Sequence, residues 1–148
     1  MSSSYCNLLY HIVFSTKGRE PWLTPVIRPR VHRYLGGAIR SENGIALIVN
    51  GTGDHVHILA KLRQDKAISK TIGEVKANSS SWISRTFQDT VGFGWQEGYG
   101  AFTVSESQVS KVHRYIERQE EHHRDVSFID EFKIILKAHG LPFDERYL

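Results

Sequence analysis

The sequence predicts an α+β fold in which an antiparallel sheet follows the split order β-α-β-β-α-β, the ferredoxin-like pattern, with a further helix appended at the C-terminal end. Three observations predict this fold. Four short runs are rich in strand-forming residues, two longer segments repeat apolar residues at helical spacing, and these segments alternate in the stated order. We therefore expect residues 1–148 to form a single domain.

The first half of the chain supplies three strands and one helix. Residues 8–15 are apolar and end at a polar turn, which predicts the first strand. Residues 26–40 repeat apolar side chains at helical spacing and stop before an Asn-Gly pair, which predicts the first helix. Residues 45–50 and 55–61 are predicted strands, and the two glycines of the loop between them are expected to supply the positive φ of a hairpin turn.

The second half supplies a long helix, a fourth strand and the appended helix. Between residues 66 and 87, apolar side chains recur as one stripe at helical intervals. A loop rich in glycine and aromatic residues then leads to a predicted strand at residues 99–104. Ser105 and Gln108 match the S-x-x-Q capping box, so we expect the appended helix to begin there.

Charge and cysteine content narrow the possible functions. The formal net charge of +3 and the isoelectric point near 9.1 permit a nucleic-acid partner without requiring one. Cys6 is the only cysteine, which excludes an internal disulfide and a cysteine-based zinc site. The first apolar run is too short for a signal peptide or a membrane span. We therefore expect a cytoplasmic protein with no membrane partner.

Two histidines open the second strand of the predicted hairpin. His55 and His57 are two residues apart in the stretch GDHVHILAK, so their side chains lie on the same face of a sheet. Neighbouring imidazoles repel each other when protonated, and their placement makes sense if an ion lies between them. A structural histidine pair is the alternative interpretation. We expect His11 to be a hydrogen-bonded core histidine, and His122 and His123 to form a solvated helix end rather than a second metal cluster.

Tyr115 and Gln119 are four residues apart on the appended helix, so they share a face and can reach a common point. This Y-x-x-x-Q string, together with His55, His57 and the order of elements around them, resembles the HUH tyrosine transposases. These are the single-strand DNA transposases of small bacterial insertion sequences and the related repeat-associated tyrosine transposases. The resemblance extends over nearly the whole chain, and the combination of motifs in this order is fairly specific.

The resemblance implies an enzyme that cuts and rejoins single-stranded DNA next to a hairpin through a 5′-phosphotyrosine. Tyr115 is then the nucleophile, and His55, His57 and Gln119 hold a divalent metal, Mg²⁺ or Mn²⁺. Elementary chemistry agrees, because a cation stabilises charge that develops on the phosphate, and a phenol ester keeps the bond energy needed for rejoining. The implied partners are single-stranded DNA with a hairpin and a second copy of the chain, with a monomer as the alternative.

Other residues are expected to contact DNA, and two other functions remain open. The expected contacts are phosphate contacts from one flank of the long helix and base stacking by an aromatic loop residue: Lys70, Lys76, Arg85 and Trp95. An ordinary solvated face and packing of the loop are the alternatives. A non-catalytic RRM-like single-strand binder would leave the paired histidines without a purpose. A metal-dependent hydrolase of small phosphoesters would give Tyr115 no role.

Overall fold

A computed structural model describes residues 3–148 and contains the predicted order of strands and helices. The elements are β1 (Leu9–Ser15), α1 (Arg28–Ser41), β2 (Ile45–Gly51), β3 (His55–Lys61), α2 (Ile68–Thr86), β4 (Gly100–Thr103), α3 (Val109–Glu117), α4 (Gln119–His122) and α5 (Phe128–Ala138). Across residues 3–148, no helix combines the length and the apolar character that crossing a bilayer requires. The predicted α+β, ferredoxin-like class is confirmed.

The four strands form one antiparallel sheet in the order β2-β3-β1-β4. The central strands, β1 and β3, pair along their whole lengths, from Leu9 opposite Lys61 to Ser15 opposite His55. Because side chains alternate along a strand, each face of the sheet receives every second residue. One face therefore carries Ile12, Phe14, Val56 and Ile58, and the other carries His11, Val13, His55 and His57.

Helices cover both faces of this sheet. The face that carries Ile12 and Phe14 packs against α1 and α2 in the larger core. On the other face, Phe128 and Phe132 of α5 form a smaller core with Val13 of β1 and with β4. The segment α3 also lies against β2 and β3 on that side. The paired histidines are consequently enclosed between the sheet and the C-terminal helices.

Two glycines allow close approaches beside the histidines. A Cβ atom on Gly51 would lie 2.1 Å from the carbonyl oxygen of His55, and one on Gly100 would lie 2.8 Å from Cε1 of Phe132. The prediction that the hairpin glycines supply a positive φ is wrong, because neither Gly51 nor Gly53 has one. Gly51 lets β2 meet β3 at His55, and Gly100 lets α5 pack closely against β4.

The C-terminal region differs from the prediction in three respects. Ser105 makes no capping hydrogen bond, because Glu106–Gln108 forms a 3₁₀ turn before α3 begins at Val109. The appended helix ends at Glu117, and it restarts as α4 after Arg118, whose ψ of 19° departs from α-helical geometry. The helix α5 is not predicted at all. The hydroxyl of Ser127 caps it by accepting a hydrogen bond of 3.2 Å from the backbone N–H of Asp130.

Candidate active site

His55 and His57 lie on the same face of β3, as predicted, and both are fully buried. In each ring, one nitrogen is held by a neighbour. Nδ1 of His57 forms a 2.7 Å hydrogen bond with Nε2 of His11, and Nδ1 of His55 lies 2.7 Å from Oδ1 of Asp54. These contacts fix the orientation of both rings, and they direct each Nε2 atom toward the C-terminal helices. His11 is the buried, hydrogen-bonded histidine that was predicted.

Tyr115 and Gln119 reach the histidines from α3 and α4. Gln119 is fully buried, and its Oε1 lies 2.9 Å from Nε2 of His55. The ring of Tyr115 lies edge-on to that of His57, with 5.8 Å between the ring centroids. The side chain of Asn50 on β2 anchors this region by donating hydrogen bonds to the carbonyl groups of the last turn of α3. The four residues predicted to perform the chemistry are therefore brought together.

Glu131, which was not predicted to be a site residue, joins these residues. Its carboxylate is buried, and Oε1 lies 3.0 Å from Nε2 of His57. The other oxygen, Oε2, accepts hydrogen bonds from the hydroxyl of Tyr115 and from Nε2 of Gln119, the latter at 3.0 Å. A signal was present in the sequence. Glu131 is three residues after Phe128 and one before Phe132, which places a carboxylate on the apolar face of an amphipathic helix.

His123 also belongs to this cluster, so the prediction that it lies on a solvated helix end is wrong. Its side chain is 8% exposed, and its Nε2 lies 3.0 Å from Oε1 of Glu131. The ring stacks edge-on against His55, with 4.4 Å between centroids. The neighbouring His122 is more exposed and lies 3.5 Å from the other oxygen of Glu131. The chain turns back after α4, which brings the histidine pair over the strand histidines rather than into solvent.

Burial sets the protonation states of the site. It lowers the pKa of His57 to about 4 and that of His11 to about 3, so both rings are neutral near pH 7. Burial alone would raise the pKa of Glu131, but hydrogen bonds from His123 and His57 hold it far below its usual range. Burial and the charge of Glu131 together raise the pKa of Tyr115 well above that of free phenol. The site therefore combines a charged carboxylate with the neutral imidazoles of His11 and His57 and a protonated phenol.

The donor atoms are close enough together to hold one metal ion. The ligating atoms of His55, His57, His123 and Glu131 all lie within 4.8 Å of one another. Two ligands on opposite sides of an ion with bonds of about 2.1 Å lie about 4.2 Å apart, so a small inward shift of the outermost atoms would suit a single ion. The amide oxygen of Gln119 lies beside the same group. Neutral imidazoles with carboxylate and amide oxygens are a suitable donor set for a divalent transition metal.

The residues predicted to bind DNA lie away from this cluster. Lys70 and Arg85 are exposed on α2, which packs on the opposite face of the sheet. Lys76 donates hydrogen bonds to the carbonyl oxygens of residues 96–98, and burial lowers its pKa to about 8. Trp95 is 8% exposed, and its indole N–H donates to the hydroxyl of Ser79. A base could stack on this indole only if the loop moved.

A different basic surface lies beside the tyrosine. Lys111, Arg114 and Arg118 are exposed on α3 and its C-terminal cap, and they line a cleft of about 430 Å³ together with Tyr115 and His122. The spacing of these cations, three and then four residues apart, puts them on one side of the helix. The sequence contained this pattern, but its position next to the tyrosine depends on how α3 docks on the sheet.

Comparison with known proteins decides the family. The family model described as "Transposase IS200 like" matches residues 4–119 of the chain. The chain belongs to the IS200-like transposase family. It is therefore a transposase, an enzyme that acts on DNA, as the motifs predicted. No curated protein matches its sequence.

Two solved structures share the fold of this transposase. A proposed transposase from Deinococcus radiodurans R1 superposes with a TM-score of 0.66 at 22% identity, over 80% of this chain and 95% of that one. The REP-associated tyrosine transposase bound to a REP hairpin superposes with a TM-score of 0.61 at 13% identity, over 85% of this chain and 74% of that one. At these identities the likeness concerns the fold.

Proposed function

We propose that this transposase cleaves and rejoins single-stranded DNA at or beside a hairpin through a 5′-phosphotyrosine on Tyr115. One observation carries the proposal. The hydroxyl of Tyr115 donates to the same carboxylate on which Nε2 of His57 and the amide of Gln119 converge. A nucleophile and a set of metal-ligating atoms thus meet at one point within one chain, which is the arrangement that phosphoryl transfer by a tyrosine needs.

The chemistry assigned to the chain is a displacement at phosphorus. The phenol oxygen of Tyr115 bonds to the scissile phosphorus as the bond from phosphorus to the 3′-oxygen breaks, and the 3′-oxygen takes up one proton for the one that the phenol loses. The raised pKa of Tyr115 means that its proton must leave during the attack, and the hydrogen bond to Oε2 of Glu131 orients this hydroxyl. A divalent cation, Mg²⁺ or Mn²⁺, held by His55, His57 and Gln119, would stabilise the charge on the phosphate oxygens.

The alternative functions fit the geometry less well. An RRM-like module binds bases on an open sheet face, whereas helices cover both faces of this sheet. A hydrolase of small phosphoesters would leave the hydrogen bond between Tyr115 and Glu131 without a catalytic purpose. Single-stranded DNA is the substrate that suits this geometry. The scissile phosphate must fit between the tyrosine on one helix and the histidines on the sheet, and pairing with a complementary strand would prevent this. The hairpin named for the REP-associated relative supports a hairpin here as well.

A covalent complex is the direct test of this function. The full chain, incubated with Mn²⁺ and an oligonucleotide that has a hairpin and an unpaired flank, is expected to give a protein–DNA band that survives a denaturing gel. The same sequence annealed to its full complement is expected to give none. Cleavage of both forms without a covalent band would indicate an ordinary metal-dependent nuclease instead.

The two basic surfaces are expected to contact different parts of the DNA. Lys111, Arg114 and Arg118 flank Tyr115, so their triple alanine variant should weaken binding of an unpaired oligonucleotide. The slope of log affinity against log salt should fall by about 2, because each phosphate contact to a single strand contributes about 0.7. We propose that Lys70 and Arg85, on the opposite face, contact the hairpin. Their double variant should weaken binding only when the oligonucleotide contains a hairpin.

Fluorescence anisotropy over a series of salt concentrations measures both effects. The proposed assignment of surfaces is wrong if the Lys70 and Arg85 variant lowers the salt slope for the unpaired oligonucleotide as much as the α3 variant does. Variants of Lys76 and Trp95 test their proposed DNA contacts less directly. Both side chains also support the loop at residues 94–99, so their removal can change the fold as well as the binding. Circular dichroism should accompany any variant at these two positions.

The active site proposed here is complete within one chain. Tyr115 and the paired histidines of the same molecule are joined through Glu131. The expected homodimer stays a prediction, but exchange of the tyrosine helix between subunits is not needed to bring nucleophile and ligands together.

A further inference from the structure

Two side chains of the site come from beyond the part of the chain that matches the family model. That match ends at residue 119, whereas His123 follows α4 and Glu131 lies on α5. The Nε2 atoms of His57 and His123 each lie 3.0 Å from Oε1 of Glu131, and that of His55 lies 3.5 Å from it. Imidazole nitrogens from β3 and from the segment after α4 thus converge on Oε1 of Glu131.

We propose that Glu131 and His123 complete the metal centre as additional ligands of the divalent cation that His55 and His57 bind, an inference that rests on the proposed function. The C-terminal segment then contributes to the metal site itself. The ligating atoms of His55, His57, His123 and Glu131 lie within 4.8 Å of one another, which is consistent with this role.

The charge around Glu131 favours this assignment. Its side chain is 1% exposed, and no lysine or arginine within residues 3–148 lies within ion-pair distance of it. Its ion-pair partners there are imidazoles, which carry a full charge only when protonated. A buried carboxylate is costly unless an opposite charge or hydrogen bonds compensate it. A divalent cation would add a full opposite charge to the hydrogen bonds that Tyr115 and Gln119 already donate to this carboxylate.

The apolar packing of α5 fixes the carboxylate in position. Phe128 stacks on the ring of His55, with 4.6 Å between centroids, and on Phe132, with 5.5 Å. Gly100 leaves the space into which Phe132 fits. Because Glu131 lies between these two aromatic residues in the sequence, the core that docks α5 also sets where its carboxylate lies. A ligand held this way needs little reorganisation to bind a metal.

The added carboxylate also affects which metal the site prefers. Imidazole donors suit late transition metals, whereas carboxylate and amide oxygens suit Mg²⁺ and Mn²⁺. A set of three imidazoles with oxygens from Glu131 and Gln119 should therefore bind Mn²⁺ more tightly than Mg²⁺. Removal of Glu131 should weaken Mn²⁺ binding.

Titration of the metal-free full chain with Mn²⁺ alone tests the proposal without any catalytic readout. Electron paramagnetic resonance of free Mn²⁺ gives the dissociation constant. We expect Glu131→Gln and His123→Ala each to raise it by about 10-fold or more, as the loss of a ligand should. The matched controls are Asp130→Asn, on the exposed face of α5, and His113→Ala, on α3, and they should change it by less than about 2-fold.

The outcomes separate this inference from the proposed function. If His55→Ala weakens Mn²⁺ binding but Glu131→Gln and His123→Ala leave it unchanged or tighter, the additional ligands are refuted while the transposase site stands. If none of these variants changes Mn²⁺ binding and no covalent DNA complex forms, both fail. Far-UV circular dichroism checks the fold of each variant.

A measurement on the unmodified chain decides the matter if Glu131→Gln does not fold. Pulsed electron paramagnetic resonance of bound Mn²⁺ counts the coordinated imidazole nitrogens. Three nitrogens, from His55, His57 and His123, would support the proposal, and two would overturn it. The change in carboxylate stretching bands on Mn²⁺ addition, read by infrared difference spectroscopy, reports separately on Glu131. An absence of any carboxylate change would remove Glu131 from the ligand set.

Discussion

Tyr115→Phe is expected to abolish the covalent protein–DNA complex, with a loss of about 1000-fold or more, because it removes the attacking oxygen. The ring that packs beside His57 and His11 is kept. Glu131 loses one hydrogen-bond donor but retains those from Gln119 and the imidazoles. Affinity for the hairpin oligonucleotide should therefore stay within about 2-fold of the unmodified chain. Denaturing gels measure the adduct, and anisotropy measures the affinity.

Tyr34→Phe is the matched control for this prediction. The hydroxyl of Tyr34 contacts the carbonyl oxygen of Asn78 at 3.4 Å, and its ring stacks on Trp82, on the side of the sheet away from the site. This variant should form the adduct at the normal rate. An adduct that forms normally in Tyr115→Phe would mean that another tyrosine is the nucleophile.

His55→Ala and His57→Ala are each expected to lower cleavage by about 100- to 10,000-fold, because each change removes a metal ligand from a set fixed by neighbouring hydrogen bonds. Addition of EDTA to the unmodified enzyme should have the same effect, and excess Mn²⁺ should reverse it. Single-turnover cleavage of the hairpin oligonucleotide measures both losses. His113→Ala, whose ring lies 3.7 Å from Glu117 on the surface of α3, should cleave normally.

Persistence of cleavage in excess EDTA would exclude a metal from the mechanism. A mixture of Tyr115→Phe and His57→Ala adds a test of how the site is assembled. Since tyrosine and histidines of one chain share Glu131, neither variant should complement the other. Recovery of activity in the mixture would mean that subunits exchange the tyrosine helix.

The features that are encoded locally were predictable from the sequence. Two predicted strands joined by a glycine-containing loop identified the hairpin, and the i, i+2 spacing put His55 and His57 on one face. The i, i+4 spacing of Tyr115 and Gln119 survived the break at Arg118, because the chain resumes as a helix within one residue. The turn at residues 105–108 was mispredicted because a capping motif does not exclude a 3₁₀ turn before the helix.

The features that depend on distant contacts were not predictable in this way. Glu131 and His57 are 74 residues apart, and only the docking of α5 on the sheet makes them neighbours. His123 followed a polar, charged segment that looked solvated, and the reversal of the chain after α4 buries it. Lys76 resembled a surface cation, but the folded loop at residues 96–98 supplies carbonyl oxygens for its ammonium group.

The polarity of the covalent bond tests the central claim most directly. A hairpin oligonucleotide is labelled either at its 5′ end or at its 3′ end, incubated with the full chain and Mn²⁺, and run on a denaturing gel. If Tyr115 forms a 5′-phosphotyrosine, the protein band carries only the 3′ label, and the released 5′-labelled fragment ends in a 3′-hydroxyl that a terminal transferase extends. A protein band that carries the 5′ label, or cleavage with no labelled protein at all, would contradict the account.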